Sequence, residues 1–370
     1  MACQNRLVFR KNWCLWLAFS VVVCCLMLYG LDQMFENRAQ QRWERYSYQA
    51  MNRLLAEGQE VDDKVAALKQ LESKVLNCTA ASPSAVRDRI QHVSLERQLN
   101  STKCQGFEDF EEVLILTPAR QMGSVVKRYF RNLLSFQYPL CRIRVAIGVN
   151  QDDDSTFNLI QTYAASLASN FSRIDIYRLS LKNDDFDIGG MDRHLKHIQL
   201  QRRSHIAQVR NALLFAALQS EGWVLWIDSD VREMPPEVLD KLVGSGKEIV
   251  VPSCMYRKSP KQLDVYDKNT WRETNSSRQL QKLLRDKDLL VEGYSQSKRI
   301  YLNDIQSEGP VVELDGVGGC CLLVRADVHR KGVIFPPYVF RNHIDTEGFA
   351  QAAKAMGYKL YGMPFVQVIH

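Results

Sequence analysis

The sequence predicts an α/β fold built on a doubly wound, mostly parallel sheet. Three observations predict it. Short apolar β-rich runs alternate with helical stretches from Val113 onward, the inner runs are apolar throughout, and the best helix precedes the most hydrophobic run. Uniformly apolar strands belong inside a sheet covered on both faces by helices, where a ligand sits beyond the strands' carboxyl ends.

The elements follow in order. Val113–Thr117 (VLILT) is the first strand, and Ser124 to about Gln137 the first helix. Ile143–Val149 is a second strand, Thr156–Ser169 a second helix, and Ile174–Arg178 a third strand. Ser204–Ser220 carries an apolar stripe of Ile206, Val209, Leu213 and Ala217 at helical spacing. Trp223–Ile227 (WVLWI) is a buried strand that runs directly into Asp228. Glu248–Pro252, the CCLLV run after Gly319 and the PFVQVI run before His370 complete the strands. The first strand is not followed by G-x-G-x-x-G, so a dinucleotide-binding domain is not indicated.

Ahead of this domain, Trp13–Leu31 is an uncharged apolar run, near the minimum length that crosses a bilayer. Arg6, Arg10 and Lys11 precede it, while Asp32 and Glu36 follow, which predicts a cytoplasmic amino terminus and a lumenal remainder. The expected organisation is a tail over residues 1–12, a signal anchor over 13–31, a helical stem over 32–108 and the α/β domain over 109–370. Leu54, Val61, Leu68 and Val75 stand at heptad spacing in the stem, so self-association stays open. Sequons at Asn77, Asn100, Asn170 and Asn275 all fall on the lumenal side. The net charge of +6 is scattered among short arginine clusters, which argues against nucleic acid as a partner. None of the cysteines forms a C-x-x-C pair; in an oxidising lumen some can pair, with connectivity open.

Asp228-Ser229-Asp230 carries the chemistry. In extended chain the side chains of residues i and i+2 share a face, so both carboxylates can converge on one cation. Two hard oxygen ligands with open positions suit Mn²⁺ or Mg²⁺, whose shell is completed by water and phosphate oxygens. The loop lacks the glycine and distal glutamate of an EF-hand.

Seven ordered motifs add a resemblance. Leu116-Thr-Pro-Ala-Arg120, Val209-Arg-Asn-Ala-Leu213 and Trp226-Ile-Asp-Ser-Asp230 come first. Tyr266-Asp-Lys-Asn-Thr-Trp271, Glu313-Leu-Asp-Gly-Val-Gly-Gly319, Asp345-Thr-Glu-Gly348 and Gly357-Tyr-Lys-Leu-Tyr-Gly362 follow. Together they resemble the fungal mannan-polymerase subunit family of Golgi α-1,6-mannosyltransferases. The resemblance implies a GT-A fold in a type II Golgi membrane protein, a GDP-mannose donor, Mn²⁺, retention of configuration, a mannosyl glycan or glycoprotein acceptor, and assembly with related subunits. Cys320-Cys321 departs from it, standing where small or hydroxyl residues are the more usual pattern.

With the resemblance in place, each candidate has a role. Asp228, Asp230 and His370 are the expected metal ligands, with Ser229 between the two acids. Thr117, Pro118 and Arg120 close the first strand where base and ribose would lie. Arg210 and Asn211 would reach the diphosphate, arginine being suited to phosphate forks. Arg203 shares their helix face but ranks below Arg210. Asp267, Asn269 and Trp271 combine carboxylate, amide and ring as sugar sites do. Asp315 and Gly318 would approach the sugar or acceptor, and Glu347 would line the same side. His343 ranks below His370 as a ligand. No carboxylate stands out as a nucleophile, so front-side attack and double displacement both stay open. A UDP-sugar donor and a non-catalytic, partner-dependent subunit are the alternative readings.

Overall fold

The computed structural model describes residues 92–96, 104–150, 153–179, 196–259, 262–285, 288–290 and 297–370. The predicted membrane span, the heptad segment, the sequons at Asn77 and Asn100 and most of the loop 183–197 lie outside these residues. Among the described residues no helix is long and apolar enough to cross a membrane. The sequons at Asn170 and Asn275 are both exposed.

In chain order the elements begin with β1 (His92–Glu96), β2 (Val113–Ala119), α1 (Val126–Leu134), β3 (Ile143–Asn150), α2 (Asp154–Leu167) and β4 (Arg173–Leu179). Next come α3 (Lys196–Ala217), β5 (Trp223–Ile227), α4 (Val238–Gly244), β6 (Ile249–Ser259), β7 (Gln262–Val265), β8 (Trp271–Arg272) and α5 (Asn275–Lys282). The chain finishes with β9 (Ile300–Tyr301), β10 (Val312–Leu314), β11 (Cys321–Arg325), α6 (Ala326–Arg330), α7 (Asp345–Ala355) and β12 (Leu360–Ile369).

The strands β4-β3-β2-β5 form a parallel block. The chain winds outward from β2 to β4, then returns through α3 to place β5 on the other side of β2. That reversal is a topological switch point, and the crevice beyond it is where an open α/β sheet takes its ligand. Thr117–Arg120 end one strand of the crevice and Asp228 follows the other.

The central block meets the expectation of a mostly parallel sheet, and the rest of the sheet is mixed. β11 runs antiparallel to both β5 and β6, β10 antiparallel to β12, and β1 antiparallel to β4. Only β6 and β12 pair in parallel there. Apolar runs report burial, not direction, so CCLLV could not announce that it runs backwards. His92–Glu96 lies in the segment expected to be stem, yet it pairs with β4 as a sheet edge.

Helix α3 packs on β2, β3 and β4, with Leu213 and Leu179 both close over Gly148. Leu213 and Ala217 of the expected stripe are fully buried, but Ile206 and Val209 are only partly so. The buried face turns instead through Arg203, Ala207, Arg210 and Leu214. A second neighbour explains it: α7 covers this side of α3 and brings acids to meet the arginines.

Candidate functional site

The segment after β5 is held by main-chain bonds from three directions. Asp228 N donates to Cys320 O at 3.1 Å. Arg128 of α1 donates through Nη2 to Asp230 O at 3.1 Å, and Asn132 through Nδ2 to Val231 O at 3.2 Å. Arg232 N and Glu233 N both donate to Ile369 O, at 2.8 and 3.1 Å. This last pair of bonds joins the end of β12 to the Asp-Ser-Asp segment and sets His370 beside it. Its Nε2 lies 3.0 Å from Asp230 Oδ1. Tyr266 stacks on the imidazole, ring centroids 3.7 Å apart and planes 11° from parallel.

The two aspartates differ in proton affinity. Burial pushes Asp228 up to about 6, with Asp230 and Asp345 adding to the rise against Arg210 and His370. Asp230 is also pushed up by burial, but its hydrogen bond to His370 and the nearby charges of His370 and Arg128 outweigh that and hold it below the usual range. Asp228 keeps 35% of its side-chain surface open, and its Oδ1 lies 3.6 Å from Arg210 Nη2.

Two carboxylates and an imidazole are a donor set for Mn²⁺. Adjacent ligands of an octahedral cation at about 2.1 Å stand about 3 Å apart, and Asp230 Oδ1 and His370 Nε2 are separated by 3.0 Å. That pair therefore has the spacing of two ligands of such an ion, and Asp228 has the donor chemistry of a third. Among the described residues no group of three or more acidic, histidine or cysteine side chains stands close enough together to hold a metal ion as they lie.

Glycines line the floor. A Cβ on Gly318 would overlap the carboxylate of Asp267, and one on Gly319 would meet the guanidinium of Arg210. Neither glycine has a positive φ, so close approach alone requires them here. Asp267 Oδ1 accepts from Asn269 N at 2.9 Å, and the Asn269 Oδ1 atom is buried without a hydrogen-bond partner.

Beneath the floor lies a buried charge network. Arg210 Nη1 holds both oxygens of Asp345, at 2.5 and 2.6 Å, so the arginine braces Asp228 from below instead of opening toward a diphosphate. Arg203 Nη1 donates to Glu347 Oε2 at 2.9 Å. Glu347 Oε1 accepts from the Trp271 indole at 2.8 Å and from Arg299 Nη1 at 3.2 Å. Arg299 lies over the Trp271 ring, 3.5 Å from its centroid. Glu347 and Trp271, expected on the sugar side, are fully buried and bonded to each other. Arg203, which the resemblance left below Arg210, is engaged by Glu347 as Arg210 is by Asp345.

Other expected residues are also placed in the frame. Asp315 accepts from Glu273 N at 2.8 Å and pairs with Lys354, tying α7 to the segment after β8. Asn211 bonds Phe335 through both ends of its amide, at 2.7 and 3.0 Å. Thr117 is buried with its hydroxyl on Tyr129 at 2.8 Å. Pro118 is half-buried and Arg120 exposed at the mouth of the crevice. His343 is buried between Arg299 and Arg341 O, and burial drives it down to about 3, so it stays neutral. Sequence reasoning missed Arg128, Asp345 and Tyr266 as site-building residues. Tyr266 adjoins a flagged aspartate and could have been found; Arg128 shares no pattern with the acids it supports.

Cys254 and Cys320 form a disulfide, as do Cys104 and Cys141. Cys321 is free and buried; burial, and then the charge of Asp228, keeps its thiol protonated.

The fold and site define an α/β protein with a switch-point crevice edged by two acids and a histidine. The chain belongs to the Anp1 family, which it matches over residues 89–339. It is 34% identical to the mannan polymerase complex subunit MNN9 of Candida albicans, over 77% of this chain and 80% of that one. It is 32% identical to the mannan polymerase II complex anp1 subunit of Schizosaccharomyces pombe, over 79% of this chain and 71% of that one. Among solved structures, the mannosyltransferase PcManGT from Pyrobaculum calidifontis in complex with GDP-Man and Mn2+ aligns over 70% of this chain and 56% of that one. It does so with a TM-score of 0.42 and 14% identity, a likeness too distant to carry the assignment.

Proposed function

We propose that the chain is a metal-dependent glycosyltransferase of the GT-A kind, anchored in the Golgi membrane with its α/β domain in the lumen. It transfers mannose from GDP-mannose to a mannosyl acceptor of an N-glycan or mannan, with retention and an α-1,6 linkage. The observation that carries this reading is the contact of His370 with Asp230, two residues from Asp228 at the switch point, between segments far apart in sequence. The relatives' names, which describe subunits of mannan polymerase complexes, support the mannosyl assignment and a hetero-oligomer with related subunits.

Asp228, Asp230 and His370 would hold Mn²⁺, with Mg²⁺ the other candidate; the cation would neutralise charge developing on the departing diphosphate. The chain's own residues supply the rest. Arg210 keeps Asp228 in place through its contact from below, Tyr266 fixes the plane of the imidazole, and Asp267 and Asn269 offer acceptors to sugar hydroxyls. Arg120 stands at the mouth of the crevice, where base and ribose would lie. Gly318 lets the Asp267 carboxylate approach the loop backbone, and Gly319 does the same for the Arg210 guanidinium.

The test is turnover by the full chain with Mn²⁺ across a panel of nucleotide sugars. Metal-dependent turnover of GDP-mannose alone supports the assignment. Turnover of a UDP-sugar would discard the mannosyl donor and keep the fold. Metal binding without turnover, rescued by a related subunit, would favour the partner-dependent alternative that the relatives' names raise.

A further inference from the structure

The two arms of the site are joined on one side by the bridge between Glu233 and Ile369, and on the other side they rest on two strands whose own ladder stops short of the site. One arm is Asp228, whose N–H is held by Cys320 O. The other is the stack of Tyr266 on His370. Tyr266 N and Asp267 N both donate to Cys254 O, at 3.0 and 3.3 Å, and His370 N donates to the next carbonyl, Met255 O, at 2.7 Å. The strands behind these arms are β11 and β6, whose ladder comprises Leu323–Val250 and Val324–Ile249. That ladder gives out at Leu323, before the chain reaches Cys320 and the site. At that end the Cys254–Cys320 bond, with Cα atoms 6.6 Å apart, stands where main-chain pairing stops. Both cysteines are buried, and each carbonyl is one hydrogen bond from a site residue.

We propose that the Cys254–Cys320 disulfide is a positioning element of the site: it sets the spacing between Asp228 and the Tyr266–His370 stack that a shared divalent cation requires. The proposal rests on the metal reading above and assigns a role to the cysteine that departs from the family pattern. Supports just outside the ligands are worth about 10–100-fold in metal affinity. The second disulfide provides the control, because Cys141 lies just before the amino end of β3, at the opposite end of the parallel block from the site.

The experiment is a manganese titration of the full chain followed by electron paramagnetic resonance, well below each variant's unfolding temperature. Wild type is compared with the pairs Cys254→Ser/Cys320→Ser and Cys104→Ser/Cys141→Ser. The expected result is Mn²⁺ affinity weakened at least about tenfold in the first pair and unchanged in the second. Should the first pair fail to fold, Cys254→Ala/Cys320→Val, which suits the apolar surroundings, makes the same comparison. Equal affinity in wild type and the first pair would overturn the positioning role and leave the metal site standing. Equal losses in both pairs would also overturn it, since general loosening would then explain the change. Wild type that binds no Mn²⁺ would overturn the metal reading and the proposal together.

Discussion

Two pairs of acids, joined through a single arginine, behave in opposite ways. Asp345 and Glu347 sit in the first turn of α7, buried, and each faces a guanidinium: Arg210 for one, Arg203 and Arg299 for the other. Asp228 and Asp230 lie at the end of β5, partly open, with a distant arginine contact for one and an imidazole for the other. Neutralised acids hold α3 to α7. The under-neutralised pair retains negative charge at a surface that a cation can reach. Arg210 joins the two regions, chelating Asp345 while its other nitrogen reaches Asp228, so the frame tunes the site through one side chain.

The largest effect that would sharpen this contrast is Asp230→Ala. We expect metal-dependent turnover to fall by about 10³-fold or more while the fold survives, because a half-open carboxylate contributes little to packing. Activity assays paired with thermal unfolding check it, and a loss of folding would break the distinction between the pairs.

Glu347→Ala tests the other side. It removes the buried counter-charge that Arg203 and Arg299 share, with Arg299 keeping Glu273, at a cost of about 3 kcal/mol, measured by chemical denaturation. A change below about 1 kcal/mol would mean that the network is looser than its geometry.

Proton competition comes next. With Asp228 raised to about 6, Mn²⁺ affinity should fall about tenfold per pH unit below that value and level off above it, as one proton must leave before the ion binds. Calorimetric titrations from pH 5 to 8 would show the break, and an affinity flat through about pH 6 would sink the assignment.

The smallest effect concerns stability. Asp228 binds its proton more tightly folded than at its ordinary 3.8, so its ionised form costs folding free energy at pH 7, regained as pH falls through about 6 toward 4. Asp228→Asn should therefore raise the unfolding temperature by about 2–4 °C, roughly 1 kcal/mol, while weakening metal binding. A lowered temperature would show that Asp228 is structural like Asp345.

Much of this is legible in the sequence. The apolar run Trp223–Ile227 predicts a strand, and β5 occupies those residues, because five apolar residues against a turn leave few alternatives. The i, i+2 acids and His370 stand out by ligand chemistry, and the structure brings Asp230 and His370 into contact. The arginines of α3 mislead, since helical periodicity scores them as surface and cannot see an acidic helix packed against that face.

By itself the sequence determined the α/β alternation, the strand that delivers Asp228, and the acids and imidazole suited to a divalent ion, because these depend on local pattern and side-chain chemistry. Tertiary structure alone decided the antiparallel return of β11, the burial of Arg203 and Glu347, and the pairing of Cys254 with Cys320. Each of these depends on which distant segment lies alongside, and a carboxylate's availability is set by the partner across the fold, not by its neighbours in the chain.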